Sequence, residues 1–97
     1  TFLDVINEIH SDADFLILRM KNVPIMDATA FHVLNRVCAH CRKHHIMLLI
    51  SEIKNAPLEL MKKNGFYYKL GSERFLDTVE EALELSNEIM TLKAARV

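Results

Sequence analysis

The 97 residues carry 12 basic and 13 acidic side chains, a net charge of −1, and are 51% apolar, which makes one small domain with its own core and leaves no room for a second. The basic residues are scattered and supply no concentrated positive field, so nucleic acid is not an expected partner. The longest unbroken apolar run, Ile46–Ile50, is far shorter than the ~20 residues that cross a bilayer.

The chain starts at Thr1 with no charged segment leading into an apolar one, and its first residues already show helical spacing, so it reads as a piece of something longer. Phe2, Val5, Ile6 and Ile9 share one face, with Asp4, Asn7 and Glu8 opposite, which predicts a short amphipathic helix. A strand is expected over Phe15–Met20, where Phe15-Leu16-Ile17-Leu18 has the continuous apolarity of a strand covered on both faces. Pro24 forbids further ladder pairing, and Asp27 stands ahead of a periodic run as the N-cap of a helix, its carboxylate accepting from the amide of Ala30 or a neighbour. That helix carries Ala30, Val33, Leu34, Val37, Cys38 and Cys41 on its apolar stripe, and His32, Asn35, Arg36, His40, Arg42 and Lys43 on the other side.

Ile46–Ile50 is a second buried strand. A short helix is framed by Asn55-Ala56-Pro57 at its start, Lys62-Lys63 in its last turn and Gly65 as its stop. Phe66-Tyr67-Tyr68 and Arg74-Phe75-Leu76 are expected to flank a Gly71-Ser72 turn, with Phe75 in a short last strand. Thr78-Val79-Glu80-Glu81 is a capping-box signature, and the helix it opens runs to about Leu92. Alternation of strands and helices calls for a parallel sheet with crossover helices, an α/β class. Two full strands and one short one make a narrow sheet, and an opening helix needs a strand before it to pack on, so N-terminal strand structure is expected to be missing.

Cys38-Ala39-His40-Cys41 has the spacing of a redox or zinc motif. It falls at the wrong end of its helix for redox work, because the C-terminal dipole disfavours a thiolate, and one helix does not supply four converging zinc ligands. The pair reads instead as reduced core cysteines, with no metal and no cofactor assigned. Nothing in the chain resembles a nucleophile elbow or a glycine-rich phosphate loop, and the only glycines are Gly65 and Gly71, so no catalytic residue and no enzyme activity are expected.

The order of strand, Val23-Pro24-Ile25-Met26-Asp27-Ala28-Thr29-Ala30-Phe31, helix, strand, short helix, Gly65-Phe66, Glu73-Arg74-Phe75 and Asp77-Thr78-Val79-Glu80-Glu81-Ala82-Leu83 resembles a STAS domain over nearly the whole chain, residues 1–97. The Asp-Ala-Thr turn and the final capping segment look most like the cytoplasmic C-terminal domain of SulP-type anion transporters, the sulfate permease family. The resemblance implies a regulatory, protein-contacting domain on the cytoplasmic face of the inner membrane, working on the transmembrane domain of the same transporter, on a second copy or on a cytosolic protein. It also implies one or two strands ahead of the first helix, without which the sheet has an unpaired edge that can aggregate, swap or pair with another copy.

The rival is a soluble anti-sigma factor antagonist of the same fold, in which the residue at the position of Thr29 is a phosphorylatable serine. Here Thr29 replaces that serine and Ala30 the glycine usually beside it. A phosphate on Thr29 would meet free helix N–H groups but also the charge of Asp27. Ile25, Met26 and Phe31, with Asp27 among them, are expected to form a solvent-facing docking rim; the competing reading folds Ile25 and Met26 under the helix as a hydrophobic staple while Phe31 covers the sheet. Tyr67 and Tyr68 likewise admit two readings, the flank of an anion or nucleotide pocket and closure of the core beside a chain reversal.

Overall fold

The two apolar runs pair side by side as the centre of a parallel sheet. The computed structural model describes residues 14–95, so the helix expected around Phe2–Ile9 lies outside the described residues. Strand β1 (Phe15–Arg19) runs in register with β2 (Met47–Ser51), from Phe15 opposite Met47 to Arg19 opposite Ser51. The two-residue β3 (Phe75–Leu76) adds to the far side of β2, giving the order β1-β2-β3 with every pairing parallel. The outer edge of β1 has no partner strand among the described residues.

Parallel strands need a crossover, and α1 (Ala28–Lys43) provides the one between β1 and β2. After β2 come α2 (Asn55–Lys63), α3 (Phe66–Leu70), a single 3-10 turn at Ser72–Arg74, β3, and the long α4 (Val79–Ala95). Along β2 the side chains alternate between two covered faces. Leu48 and Ile50 join the main core with Leu34, Val37, Cys38 and Cys41 of α1, Met61 of α2 and Phe66 of α3. Leu49 and Ser51, of opposite parity, are also fully buried, on the face against which α4 packs with Ala82 and Ser86.

Residues 66–70 differ from the expected approach to a turn, because they form helix α3. Three aromatics between two glycines carry little helical signal; the helix exists because it drives Phe66 into the core and sets the Tyr67 ring on Phe75, 4.8 Å between centroids. Gly65, at φ 87°, permits the abrupt break between α2 and α3. At the other end of the chain, the capping box forms with one change from the usual pattern. The Glu81 amide donates to Thr78 Oγ1 at 3.1 Å, and Glu81 Oε2 accepts from the Asp77 amide at 3.3 Å, one residue before the expected donor. The helix continues to Ala95, a turn beyond the expected end.

Helix α1 closes with a Schellman motif. The Ile46 amide donates to the Cys41 carbonyl at 2.7 Å and the His45 amide to the Arg42 carbonyl at 3.4 Å. This geometry puts His45 at φ 57°, in the left-handed region that glycine occupies without steric cost. Replacing His45 with Gly is expected to raise stability by about 1 kcal/mol in urea unfolding; a loss of stability would show that the imidazole itself supports the turn.

Candidate functional site

Because all three strands run the same way, their C-terminal ends meet one edge of the sheet, together with the N-termini of α1 and α4. This is the edge at which open α/β sheets bind their partners. It holds the β1–α1 connection, residues 20–27, which includes the Asp27 turn.

Asp27 is extended, at φ −89° and ψ 178°, and its Oδ1 accepts from the Ala30 amide at 2.8 Å, so it is the N-cap anticipated from the sequence. The first intrahelical bond follows from the Phe31 amide to the Asp27 carbonyl at 3.0 Å. Thr29 lies in the first turn with its side chain exposed. The amides of Ala28 and Thr29 precede the first intrahelical donor and face outward, as helix N-termini require.

The three expected rim hydrophobes separate. Ile25 is 78% exposed, whereas Met26 is 6% exposed and belongs to the core, which corrects the expectation that it faces solvent. Phe31 is half-buried and stands edge-on to the Phe66 ring, with centroids 5.8 Å apart. The physical reason is the staple: Met26 directly precedes the cap, Phe31 is the fourth helical residue, and both pack into the core and fix the entry angle of the chain. Ile25 is left as the apolar residue that the turn presents outward.

An ion pair at the same edge was not anticipated from the sequence. Arg19, the last residue of β1, donates through Nε to Glu52 Oε2 at 2.5 Å. The hydrogen bond to Glu52 and then its charge, with a further contribution from Glu80, raise the Arg19 pKa above its ordinary value. Glu52 holds φ 58°, a left-handed backbone that costs roughly 1 kcal/mol or more for a non-glycine residue. Its amide donates to the Leu76 carbonyl at 3.1 Å, tying the end of β2 to β3. Opposite charges at the ends of two paired strands were the available clue, but they become visible only once the register is known. Next to Glu52, the buried Ser51 hydroxyl has no hydrogen-bond partner among the described residues.

The cysteines behave as core residues. Both are buried and reduced, and burial, followed by the neighbouring Cys38, pushes the Cys41 thiol up to about 11. Among the described residues no three His, Cys, Asp or Glu side chains converge as metal ligands, and no helix is long and apolar enough to cross a membrane. Tyr67 packs against the core, as the closure reading expects, and Tyr68 is 70% exposed and edge-on to the Tyr67 ring.

A small parallel α/β sheet with an acidic turn capping the crossover helix between β1 and β2 defines the fold, and known proteins share it. A family profile described as "STAS domain" matches residues 2–82. The chain belongs to the STAS domain family. The crystal structure of a sulfate transporter family protein from Wolinella succinogenes superposes with a TM-score of 0.83 at 30% identity, covering 93% of this chain and 74% of that one. The STAS domain of a SulP transporter from Vibrio cholerae superposes with a TM-score of 0.74 at 29% identity, covering 96% of this chain and 71% of that one. YvdB of Bacillus subtilis (strain 168), provisionally named a sulfate transporter, is 35% identical over 66 residues. That match spans 68% of this chain and only 12% of the relative's length.

Removing the cap in Asp27→Ala is expected to cost about 1 kcal/mol in urea unfolding, while Asp27→Asn, which keeps an acceptor, stays within a few tenths of the parent. For the buried thiol, folding raises the pKa above its ordinary 9.0, so the native state holds the proton more tightly than the unfolded chain. The associated stability is intact below about pH 9 and is lost as pH rises toward about 11. Urea titrations of the parent are expected to fall by on the order of 1–3 kcal/mol across that window. Cys41→Ala, less stable at neutral pH, should fall by less, and parallel pH profiles would contradict the assignment.

Proposed function

We propose that this chain is the regulatory domain of a SulP-type sulfate transporter, acting from the cytoplasmic face of the inner membrane on the transport cycle or on assembly. Its similarity over 96% of its length to the STAS domain of a SulP transporter is the observation that carries this reading. The domain acts by contact and without a catalytic step, and its partner is the transmembrane domain of the same transporter.

Within the domain the docking element is the turn Ile25–Phe31. Ile25 is the anchor, since a large aliphatic side chain held in solvent on a fixed loop offers apolar area to a partner at little ordering cost. Met26 and Phe31 hold the loop from beneath as the staple, and Asp27 fixes its register on the helix. The exposed hydroxyl of Thr29 supports a second reading, in which phosphorylation controls a soluble antagonist of the same fold.

Ile25→Asp is the selective test, because the side chain it replaces contributes little to the core, whereas Phe31→Asp also breaks the contact with Phe66. Ile25→Asp is expected to weaken binding of the domain to its separately produced membrane domain by about tenfold or more, with an unchanged unfolding midpoint. Unaltered affinity would remove Ile25 from the interface. Incubation with cell lysate and ATP, followed by mass spectrometry of the Thr29 peptide, separates the two readings: phosphate on Thr29 favours the antagonist.

A further inference from the structure

The opposite edge of the sheet, where the strands begin, holds a cleft of about 250 Å³ with Arg42, Lys69 and Arg74 in its wall. Its remaining lining among the described residues is apolar, from Cys38, Ile46, Leu48 and Leu70, and includes no acidic side chain. We propose that this cleft binds a tetrahedral dianionic oxyanion, either free in solution or as the phosphate of a lipid headgroup. The proposal does not depend on the docking turn, which lies at the far end of α1.

Three elements converge to build it. Arg42 comes from the last turn of α1, Lys69 from the last turn of α3, and Arg74 from the end of the 3-10 turn that leads into β3. A cation in a last helical turn is often no more than a complement to the helix dipole, and each of the three considered alone has that explanation. Several carbonyls at these ends, however, already have backbone donors. The Ile46 and His45 amides serve Cys41 and Arg42, the Gly71 amide serves Tyr67 at 3.0 Å, and the Phe75 amide serves Ser72.

Nor does a carboxylate pair with them among the described residues. The ion pairs among the described residues join Arg19 to Glu52 and Lys62 to Glu59, and neither involves the cleft. Glu73, next in sequence to Arg74, directs its carboxylate toward Gly71 and does not line the cleft. Three like charges around one concavity repel each other, and their repulsion is relieved by an anion between them. Guanidinium and ammonium groups are the donor types that bind tetrahedral oxyanions through charge-assisted hydrogen bonds. The volume accommodates such an ion with part of its hydration shell.

The test is a titration of the 97-residue chain, labelled with nitrogen-15, by sodium sulfate and by sodium phosphate, with sodium chloride at matched ionic strength as the reference. A parallel arm measures sedimentation with phosphatidylcholine vesicles that contain or lack phosphatidic acid. Saturable shifts at the amides of Arg42, Lys69 and Arg74 with sulfate or phosphate, absent with chloride and weakened about tenfold by Arg74→Gln, support a free oxyanion. Sedimentation that requires phosphatidic acid and is lost in Arg74→Gln, without saturable shifts from the free ions, supports the headgroup. Lys69→Gln repeats the comparison at an exposed position if Arg74→Gln does not fold. Shifts that follow ionic strength alone, combined with vesicle binding indifferent to both substitutions, overturn the proposal.

Discussion

The in-register parallel pairing of β1 with β2 is the constraint on which the rest of the domain depends. A parallel pair cannot be closed by a tight turn, so the chain must travel back along the whole strand length before it re-enters the sheet. The 16 residues of α1 make that journey, and they bury Leu34, Val37, Cys38 and Cys41 on the way. With α4 on the other face, β2 is enclosed on both sides, and every buried Leu or Ile in it contributes about 1.5–3 kcal/mol. The same pairing sorts the connections: those that leave strands emerge at one edge, and those that enter strands arrive at the other.

Helix α1 therefore links two places of different chemistry. Its first turn is held by a carboxylate cap and a Met26–Phe31 staple, and it raises a single aliphatic side chain into solvent. Its last turn is closed by backbone bonds alone, which leaves the guanidinium of Arg42 free of any capping duty. A rigid helix with contacts at both ends is a short lever, and a shift at one end displaces the other by a comparable amount unless the sheet beneath it yields. Protein interiors are close-packed and repack between discrete arrangements more readily than they deform continuously.

The parts legible in the sequence are those governed by periodicity and by local hydrogen bonding. Asp27, the apolar stripe of α1, the two long strands and the final capping box all follow from spacing and side-chain chemistry within a few residues, and the structure reproduces them. What stayed hidden depends on contacts distant in sequence. Helix α3 is stabilised by where Phe66 goes, and the Arg19–Glu52 pair joins residues 33 positions apart. Met26 shows the limit within a single loop, since its exposure depends on whether a core position lies beneath the turn. The composition of the loop reads the same in either case, and the packing around Phe31 decides it.

The chain has only two cysteines, and both lie on the buried face of α1. Cys41 is closed to a reagent in solvent while that helix is seated, and a thiol held protonated reacts slowly even when it is reached. The helix thus carries its own clock. The rate at which a thiol-specific label is incorporated at Cys41 reports how often α1 lifts from the sheet, without any engineered probe. An event that clamps either end of α1 lengthens the labelling time, so occupancy at two separate places can be followed through one chemical signal.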